Sequence, residues 1–231
     1  MNVEEMKKAV AKEALKFIED EMVVGLGTGS TTAYFIKYLG KLIMEGELED
    51  VYGVPTSHQA RLLALEVGGI PVVSLDEVDA IDIAVDGADE VDPHMNLIKG
   101  GRGAALTMEK IIEYRAGMFI VLVDESKLVE YLGQKMPVPI EVIPAAWRAI
   151  AEELEVFNAT AELRMAVKKD GPVVTDNGNF ILDAKFARIE DPLDLEIELN
   201  TIPGVVENGI FADIADIILV GTPEGVKRME R

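Results

Sequence analysis

The chain has 231 residues, 49% of them hydrophobic, which is enough to bury the core of one large domain or two unequal ones. Its 22 basic and 42 acidic residues give a net charge of −20, which disfavours a nucleic-acid binder because such proteins usually present a basic face. The lack of cysteine excludes disulfides and thiolate metal sites. No apolar signal core or bilayer-spanning run is present, so we expect a soluble cytoplasmic protein with no membrane partner.

The first part of the chain alternates predicted helices with short apolar strands. Helical spacing of apolar residues predicts a helix over residues 4–20, and the run Met22–Leu26 predicts the first strand. The next predicted elements are a helix after a cap at Ser30 or Thr31, a strand at Val51–Val54, a helix at Ser57–Val67, strands at Pro71–Ser74 and Ile81–Val85, a helix at Ala104–Tyr114 and a strand at Met118–Val123. This α/β alternation indicates a Rossmann-like parallel sheet covered by helices on both faces.

The pattern changes near Tyr131, where prolines interrupt the chain. The elements predicted beyond it are a helix at about 145–155, a strand at Thr160–Val167, strands at Val173–Thr175 and Phe180–Leu182 around the hairpin turn Asp176–Asn179, a helix near Pro192–Leu199 and a buried strand at Ile214–Val220. We therefore predict a Rossmann-like catalytic domain from residues 1–130 plus 206–231. A smaller inserted α+β domain of the ferredoxin-like kind is predicted at residues 131–205.

Three glycine-containing segments lie at or just beyond the ends of apolar, strand-like runs. They are GLGTGST at Gly25–Thr31, DGADEVD at Asp86–Asp92 and KGGRGAAL at Lys99–Leu106. Together they supply backbone donors, two carboxylates and a lysine, which suits acid–base chemistry on a small phosphorylated substrate. Because the negative net charge would repel a phosphate ester, a phosphate site must be built locally from lysines and backbone amides.

The first segment can turn sharply and approach a ligand through its glycines, and Thr28, Ser30 and Thr31 add hydroxyl groups. A tight strand-to-helix turn with a cap would explain the same residues. A dinucleotide fingerprint is nearly matched, but Ser30 replaces its third glycine and no acidic residue ends the strand Val51–Val54. A P-loop is excluded because no Gly-Lys-Ser/Thr follows.

The second segment places Asp86 at a strand end and Asp89 three residues later, where Gly87 allows both carboxylates to face one cleft. A polar loop with Asx turns, or a magnesium–phosphate site, would also fit these residues. Glu90 and Asp92 are expected to lie in solvent or behind the reacting groups.

In the third segment, Lys99 directly precedes two glycines. Its side chain could form an ion pair with Asp86 or Asp89 and also face a substrate oxygen. Glu109 follows in the first turns of the next helix, and Lys127 lies past the next apolar strand. Both would ordinarily be surface charges. The isolated histidines His58 and His94 make a histidine-based metal site improbable.

Taken together, the three segments resemble ribose-5-phosphate isomerase, type A. The family pattern is GxGTGST, then DGADE, then KGGG followed by an A–A–L helix start with a glutamate soon after. The stretches Val123–Lys127, Thr175–Asn179 and Asn200–Gly204 are also similar to the family, so the resemblance covers nearly the whole chain. The chain departs from the pattern at Arg102, where the family commonly has a third glycine.

The resemblance implies an aldose–ketose isomerase that interconverts D-ribose 5-phosphate and D-ribulose 5-phosphate in the non-oxidative pentose phosphate pathway, through an enediolate. It implies that Glu109 is the general base, that Asp86 and Asp89 open the sugar ring and handle hydroxyl protons, and that Lys99 stabilises the oxyanion with loop amides. The implied substrate contacts are Thr28, Gly29, Ser30, Thr31, Gly87, Ala88, Gly100, Gly101, Arg102, Lys127 and Lys7. No organic cofactor and no metal are implied, and the assembly is a homodimer or homotetramer.

Two other functions stay open beside this one, namely a sugar-phosphate sensor without catalysis and an amino-sugar-phosphate isomerase–deaminase. A sensor would usually carry a DNA-binding helix-turn-helix, and the first predicted helix leaves no room for one. A deaminase typically uses a histidine, and both histidines lie outside the key positions. Because a carboxylate in water is a weak base, an isomerase is expected to bury Glu109 partly and so raise its pKa.

Overall fold

The computed structural model describes residues 1–101 and 105–231. Over these residues the strands are β1 Val23–Leu26, β2 Tyr52–Pro55, β3 Ile81–Gly87, β4 Glu90–Val91, β5 Leu97–Ile98, β6 Ala116–Asp124, β7 Val138–Val142, β8 Ala159–Leu163, β9 Phe180–Phe186, β10 Val205–Asn208, β11 Ile210–Phe211, β12 Ile217–Thr222 and β13 Gly225–Glu230. The α-helices are α1 Val3–Ala14, α2 Thr32–Glu45, α3 His58–Val67, α4 Leu106–Arg115, α5 Trp147–Glu153 and α6 Pro192–Asn200. None of these helices has the length and apolar character needed to cross a membrane.

The described residues divide into two compact units. The first unit contains Met1–Gly87, Met108–Lys127 and Ile214–Arg231. The second contains Ala88–Thr107 and Leu128–Asp213. Each unit is built from stretches of chain that lie far apart in the sequence. Each unit also has its own apolar core.

The first unit is built on a six-stranded sheet of order β13-β12-β6-β3-β1-β2. Neighbouring strands are parallel except β13, which pairs antiparallel with β12. On one face, Val24 and Leu26 of β1 pack with the core residues of α1, α2 and α3. On the other face α4 packs closely against Gly25. A side chain at Gly25 would prevent this packing, because a Cβ built there would lie 2.8 Å from Ile112 Cγ2. The predicted α/β class and Rossmann-like sheet are confirmed.

Local details of the first unit differ from the predicted elements. Helix α1 ends at Ala14 and continues as a 3₁₀ turn at Leu15–Phe17, so it is shorter than predicted. The predicted strand Pro71–Ser74 is reduced to a single bridge between Val72 and Gly53. Thr31 occupies the N-cap position of α2, but its side chain makes no capping hydrogen bond.

The second unit contains a β–α–β–β–α–β run from β7 to β10. Its four strands form an antiparallel sheet of order β10-β7-β9-β8, which is the ferredoxin-like arrangement. The core of this sheet contains buried apolar residues of β7 and β9, including Val138, Ile140 and Leu182. They pack with Leu154, which directly follows α5, and with Leu199 of α6. The predicted α+β architecture of the smaller part of the chain is thereby confirmed.

The prolines and the hairpin of the second unit behave differently from the sequence expectation. Strand β7 runs through Pro139, whose carbonyl accepts a hydrogen bond from the Gly209 N–H at 2.7 Å. The predicted turn forms, because Thr175 N–H donates to Asn179 O at 2.8 Å, but Val173–Thr175 is not a strand. Strand β9 pairs instead with β8, which ends at Leu163.

A separate three-stranded sheet of order β11-β5-β4 completes the second unit. These two-residue strands tie residues 88–107 to residues 206–213 through pairs such as Ile98 with Ile210. The compact units therefore differ from the predicted domain boundaries, which placed both of these stretches in the first domain.

Candidate functional site

The first glycine segment folds around the carboxylate of Asp86, which lies near the end of β3 and is 1% exposed. Oδ1 of Asp86 accepts hydrogen bonds from the backbone N–H groups of Thr28 at 2.9 Å and Gly87 at 2.7 Å. Gly27 makes this approach possible, because a Cβ there would lie 2.3 Å from the carboxyl carbon of Asp86. The two segments meet because β1 and β3 are adjacent parallel strands whose carboxyl ends lie at the same sheet edge.

Residues after β2 hold the first segment from the other side. The Thr28 hydroxyl donates to Ser57 Oγ at 2.6 Å and lies 2.9 Å from Thr56 Oγ1. The Gly29 N–H donates to Gln59 Oε1 at 3.2 Å, and Gly29 itself has a φ of +113°, which favours glycine. Sequence reasoning missed these three polar residues, although their place at the end of the strand beside β1 was a usable signal.

The structure brings Lys7 of α1 to the same segment, where its Nζ donates to Ser30 Oγ at 2.8 Å. An open pocket of about 450 Å³ lies there, lined by Val3, Glu4, Lys7, Ser30, Ala33, Tyr34 and Lys37. Hydrogen bonds from Lys8 and Tyr34 hold the pKa of the Glu4 carboxyl below its ordinary value, so Glu4 stays ionised at neutral pH. The pocket thus combines lysines with one fixed anion.

Two further predicted residues belong to the first unit. Glu109 lies in the first turn of α4 and is 5% exposed, so the expected burial is present. Lys127 ends a short 3₁₀ helix directly after β6 and is half-buried. Since β6 is parallel to β3 and adjacent to it, Lys127 follows the strand end next to the one that carries Asp86. In that turn Asp124 accepts hydrogen bonds from the N–H and hydroxyl of Ser126.

In the second unit, Asp89 is bonded to the third glycine segment. Its backbone N–H donates to Ile98 O at 2.8 Å, and its Oδ2 accepts from the Gly101 N–H at 2.7 Å. A Cβ on Gly101 would lie 2.8 Å from that same oxygen, so a side chain there would displace the carboxylate. Ala88 is half-buried immediately before it, while Arg102 lies outside the described residues.

Lys99 is buried, with 2% of its surface exposed, and its Nζ lies 5.4 Å from the centre of the Phe211 ring. The backbone around it is fixed at both ends, because the Lys99 N–H donates to Gly209 O at 2.9 Å and Gly100 O accepts from Arg164 at 2.8 Å. Gly100 has a φ of +85°, a conformation that favours glycine. Arg164, which sequence reasoning did not single out, is itself ion-paired with Asp183.

Glu90 and Asp92 were expected to lie in solvent or behind the reacting groups, and the first of these alternatives is wrong because both side chains are buried. Glu90 is fully buried and accepts hydrogen bonds from the backbone N–H groups of Gly133 at 2.7 Å, Lys135 at 2.5 Å and Met136 at 2.7 Å. Asp92 is 6% exposed and accepts hydrogen bonds within the turn that follows it. Because this buried carboxylate accepts hydrogen bonds from three backbone amides, it fixes the segment before β7 in place.

Replacing Glu90 by glutamine is expected to lower the free energy of unfolding by about 2–3 kcal/mol, because the amide presents an N–H group to backbone donors and weakens charge-assisted bonds. Guanidinium unfolding measures the difference. The matched control is Glu162→Gln on the exposed face of β8, expected to change stability by no more than about 0.5 kcal/mol. Equal effects of the two substitutions would contradict the anchoring role.

The two histidines lie far apart in the sequence, at exposed positions. His58 begins α3 and His94 lies in the turn between β4 and β5, and both are exposed. Over residues 1–101 and 105–231, no cluster of three or more His, Cys, Asp or Glu side chains is arranged to hold a metal ion.

Comparison with known proteins places the whole chain in one family. The family model for ribose 5-phosphate isomerase A (phosphoriboisomerase A) matches residues 52–225. Ribose-5-phosphate isomerase A of Thermococcus kodakarensis is 98% identical over 231 residues, which are 100% of both chains. A solved D-ribose-5-phosphate isomerase in complex with phospho-erythronic acid is 78% identical with a TM-score of 0.98, over 100% of both chains. The enzyme of Methanocaldococcus jannaschii is 53% identical with a TM-score of 0.94, over 99% of both chains. The chain therefore belongs to the ribose 5-phosphate isomerase A family and is an isomerase.

Proposed function

We propose that this protein interconverts D-ribose 5-phosphate and D-ribulose 5-phosphate through an enediolate, as a step of the non-oxidative pentose phosphate pathway. The observation that carries the mechanism is the burial of Glu109 in the first turn of α4, in the unit that also fixes the Asp86 carboxylate with two backbone amides. Interconverting an aldose and a ketose moves one proton between C1 and C2. Such a reaction requires a positioned carboxylate base rather than a surface charge.

Glu109 acts as this base in the proposal. It takes the proton from the carbon beside the carbonyl and returns it to the neighbouring carbon, and a positioned general base contributes about 10²–10⁴-fold to such a step. Burial favours the neutral form of a carboxyl group and so makes its ionised form a stronger base. The side chain is 5% exposed, which supports this role.

Lys99 stabilises the negative charge that develops on oxygen when the proton leaves. A buried ammonium group is worth more than a solvated one at a developing oxyanion, and removing one preorganised donor typically costs about 10²–10³-fold. Asp86 and Asp89 open the ring and exchange hydroxyl protons. One carboxylate oxygen of Asp86 accepts hydrogen bonds from two backbone amides and one of Asp89 from a single backbone amide, which fixes their orientation for that task.

Substrate binding is assigned to the glycine segments and their lysines. The proposed contacts are Thr28, Gly29, Ser30, Thr31, Gly87, Ala88, Gly100, Gly101, Arg102, Lys127 and Lys7. Lys7 and Ser30 are bonded to each other beside an open pocket, which supports a phosphate subsite there. The solved relative holds phospho-erythronic acid, a phosphorylated sugar acid whose planar carboxylate carries charge on two oxygens as an enediolate does.

The purified, EDTA-treated protein is expected to convert ribose 5-phosphate to ribulose 5-phosphate, because the proposed base and electrophile are both side chains of the protein. The reaction is followed by ketose formation, and by exchange of the substrate C2 proton with solvent deuterium. Activity restored only by a divalent ion would contradict the roles proposed for Asp86 and Asp89. Tight binding of ribose 5-phosphate without turnover would indicate a sensor instead of an enzyme.

We further propose that the protein is cytoplasmic and works as a homodimer or homotetramer. Light scattering on the purified protein, at concentrations spanning those of the activity assay, distinguishes the two assemblies. A monomer with full activity would contradict the proposed assembly.

A further inference from the structure

A second fully buried carboxylate, that of Glu141 in β7, lies at the centre of a polar cluster in the second unit. Its Oε2 accepts a hydrogen bond from the Thr107 hydroxyl at 2.5 Å. Its Oε1 accepts from the Thr175 hydroxyl at 2.7 Å, Asn179 Nδ2 at 2.8 Å and Asn177 Nδ2 at 3.2 Å. One side chain therefore joins the first turn of α4 to the Thr175–Asn179 turn.

The surroundings of this carboxylate make it costly to keep for stability alone. Glu141 itself is fully buried, and its four donors are neutral, namely two threonine hydroxyls and two asparagine side-chain amides. A buried charge costs far more than an apolar side chain unless hydrogen bonds hold it. The start of α4 offsets part of this free-energy cost, because a helix N-terminus carries a partial positive charge that stabilises a nearby anion.

We propose that Glu141 and Thr107 are positioning residues that fix the first turn of α4 and thereby the carboxylate of Glu109. Thr107 precedes Glu109 by two residues in this helix. Two residues correspond to about 200° around an α-helix, so the two side chains leave it in different directions. Thr107 consequently acts on Glu109 through the helix backbone. This inference rests on the role proposed above for Glu109.

The chain offers a matched pair of substitutions, because Thr107 and Thr175 donate to the two oxygens of the same carboxylate. Thr107→Val is expected to lower kcat about tenfold and to leave KM within about twofold, since a 1 Å misplacement of a catalytic group costs up to about 10²-fold. Thr107→Ser, which keeps the hydroxyl, is expected to restore kcat. Thr175→Val removes an equivalent bond away from α4, so it is expected to lower the melting temperature with kcat within about twofold.

A cycle with Glu109→Gln tests whether Thr107 acts through Glu109. In that background Thr107→Val is expected to have less than a twofold effect on the remaining rate, because there is no longer a base to misplace. A tenfold effect in both backgrounds, or equal losses of kcat in Thr107→Val and Thr175→Val, would overturn the positioning role. Full turnover in Glu109→Gln alone would instead refute the proposed base, so the two failures are distinguishable.

Discussion

Replacing Glu109 by glutamine is expected to lower kcat by about 10²–10⁴-fold, because an amide of nearly the same shape cannot accept the proton from the substrate carbon. Substrate affinity is expected to stay within a few-fold, since the proposed binding contacts come from other residues. Stopped assays of ketose formation give kcat, and calorimetric titration with a non-isomerisable phosphorylated sugar acid gives the affinity. Loss of solvent deuterium exchange at C2 should accompany the loss of turnover.

The same helix provides the control for this prediction. Glu113 is one turn beyond Glu109 in α4 and is 2% exposed, so Glu113→Gln makes the identical chemical change at a comparable depth. It is expected to retain kcat within a few-fold. If Glu109→Gln turned over as fast as Glu113→Gln, the base would have to be another residue.

Replacing Gly27 by alanine is expected to lower kcat by about 10²-fold, together with a loss of about 1–3 kcal/mol in the free energy of unfolding. The added methyl group would lie 2.3 Å from both Cγ and Oδ1 of Asp86, a separation that real atoms do not reach. Either the glycine segment or the carboxylate must move, and the Thr28 N–H bond to Asp86 is then broken. Denaturant unfolding and steady-state kinetics measure the two effects on one sample.

A second glycine separates the loss of activity from the loss of stability. Gly46 ends α2 with a φ of +71° and has no atom within 4 Å of a built Cβ, so alanine there adds only backbone strain. Gly46→Ala is expected to lower stability by about 1 kcal/mol and to leave kcat unchanged. Should Gly27→Ala also keep its full kcat, the close approach of Gly27 to Asp86 would have no catalytic purpose.

The parallel sheet was predictable because its central strands are buried on both faces and therefore read as continuous apolar runs. The sequences of β3 and β6 are apolar runs of this kind. Asp86 and Lys127 were recognised as candidate site residues because they lie at or just beyond the ends of these runs. The glycine segments were predictable for a related reason, since a chain that turns sharply against a buried side chain requires residues without a Cβ. Gly27 beside Asp86 is the clearest case.

Other elements could not be predicted because their sequences carry no local signal. Strands β4, β5 and β11 have two residues each and are defined by partners far away in the chain. Strand β13 lies at a sheet edge with charged residues exposed, so it lacks an apolar pattern. Glu90 and Glu141 were not recognised as buried, because a buried carboxylate is recognisable only once its donors are known. The donors to Glu90 lie more than thirty residues after it in the sequence. The donors to Glu141 lie both before it and after it in the sequence.

The order of strands in the larger sheet has a consequence for how the protein is made. Strand β6 ends at Asp124, but its neighbour β12 begins at Ile217, so roughly 90 residues must be translated before that edge of β6 is paired. At about 5–20 residues per second, a ribosome exposes this buried apolar strand for roughly 5–20 s. During that time the edge of β6 is open to pairing with other nascent chains. The larger sheet can therefore be completed only after nearly all of the second unit has been synthesised.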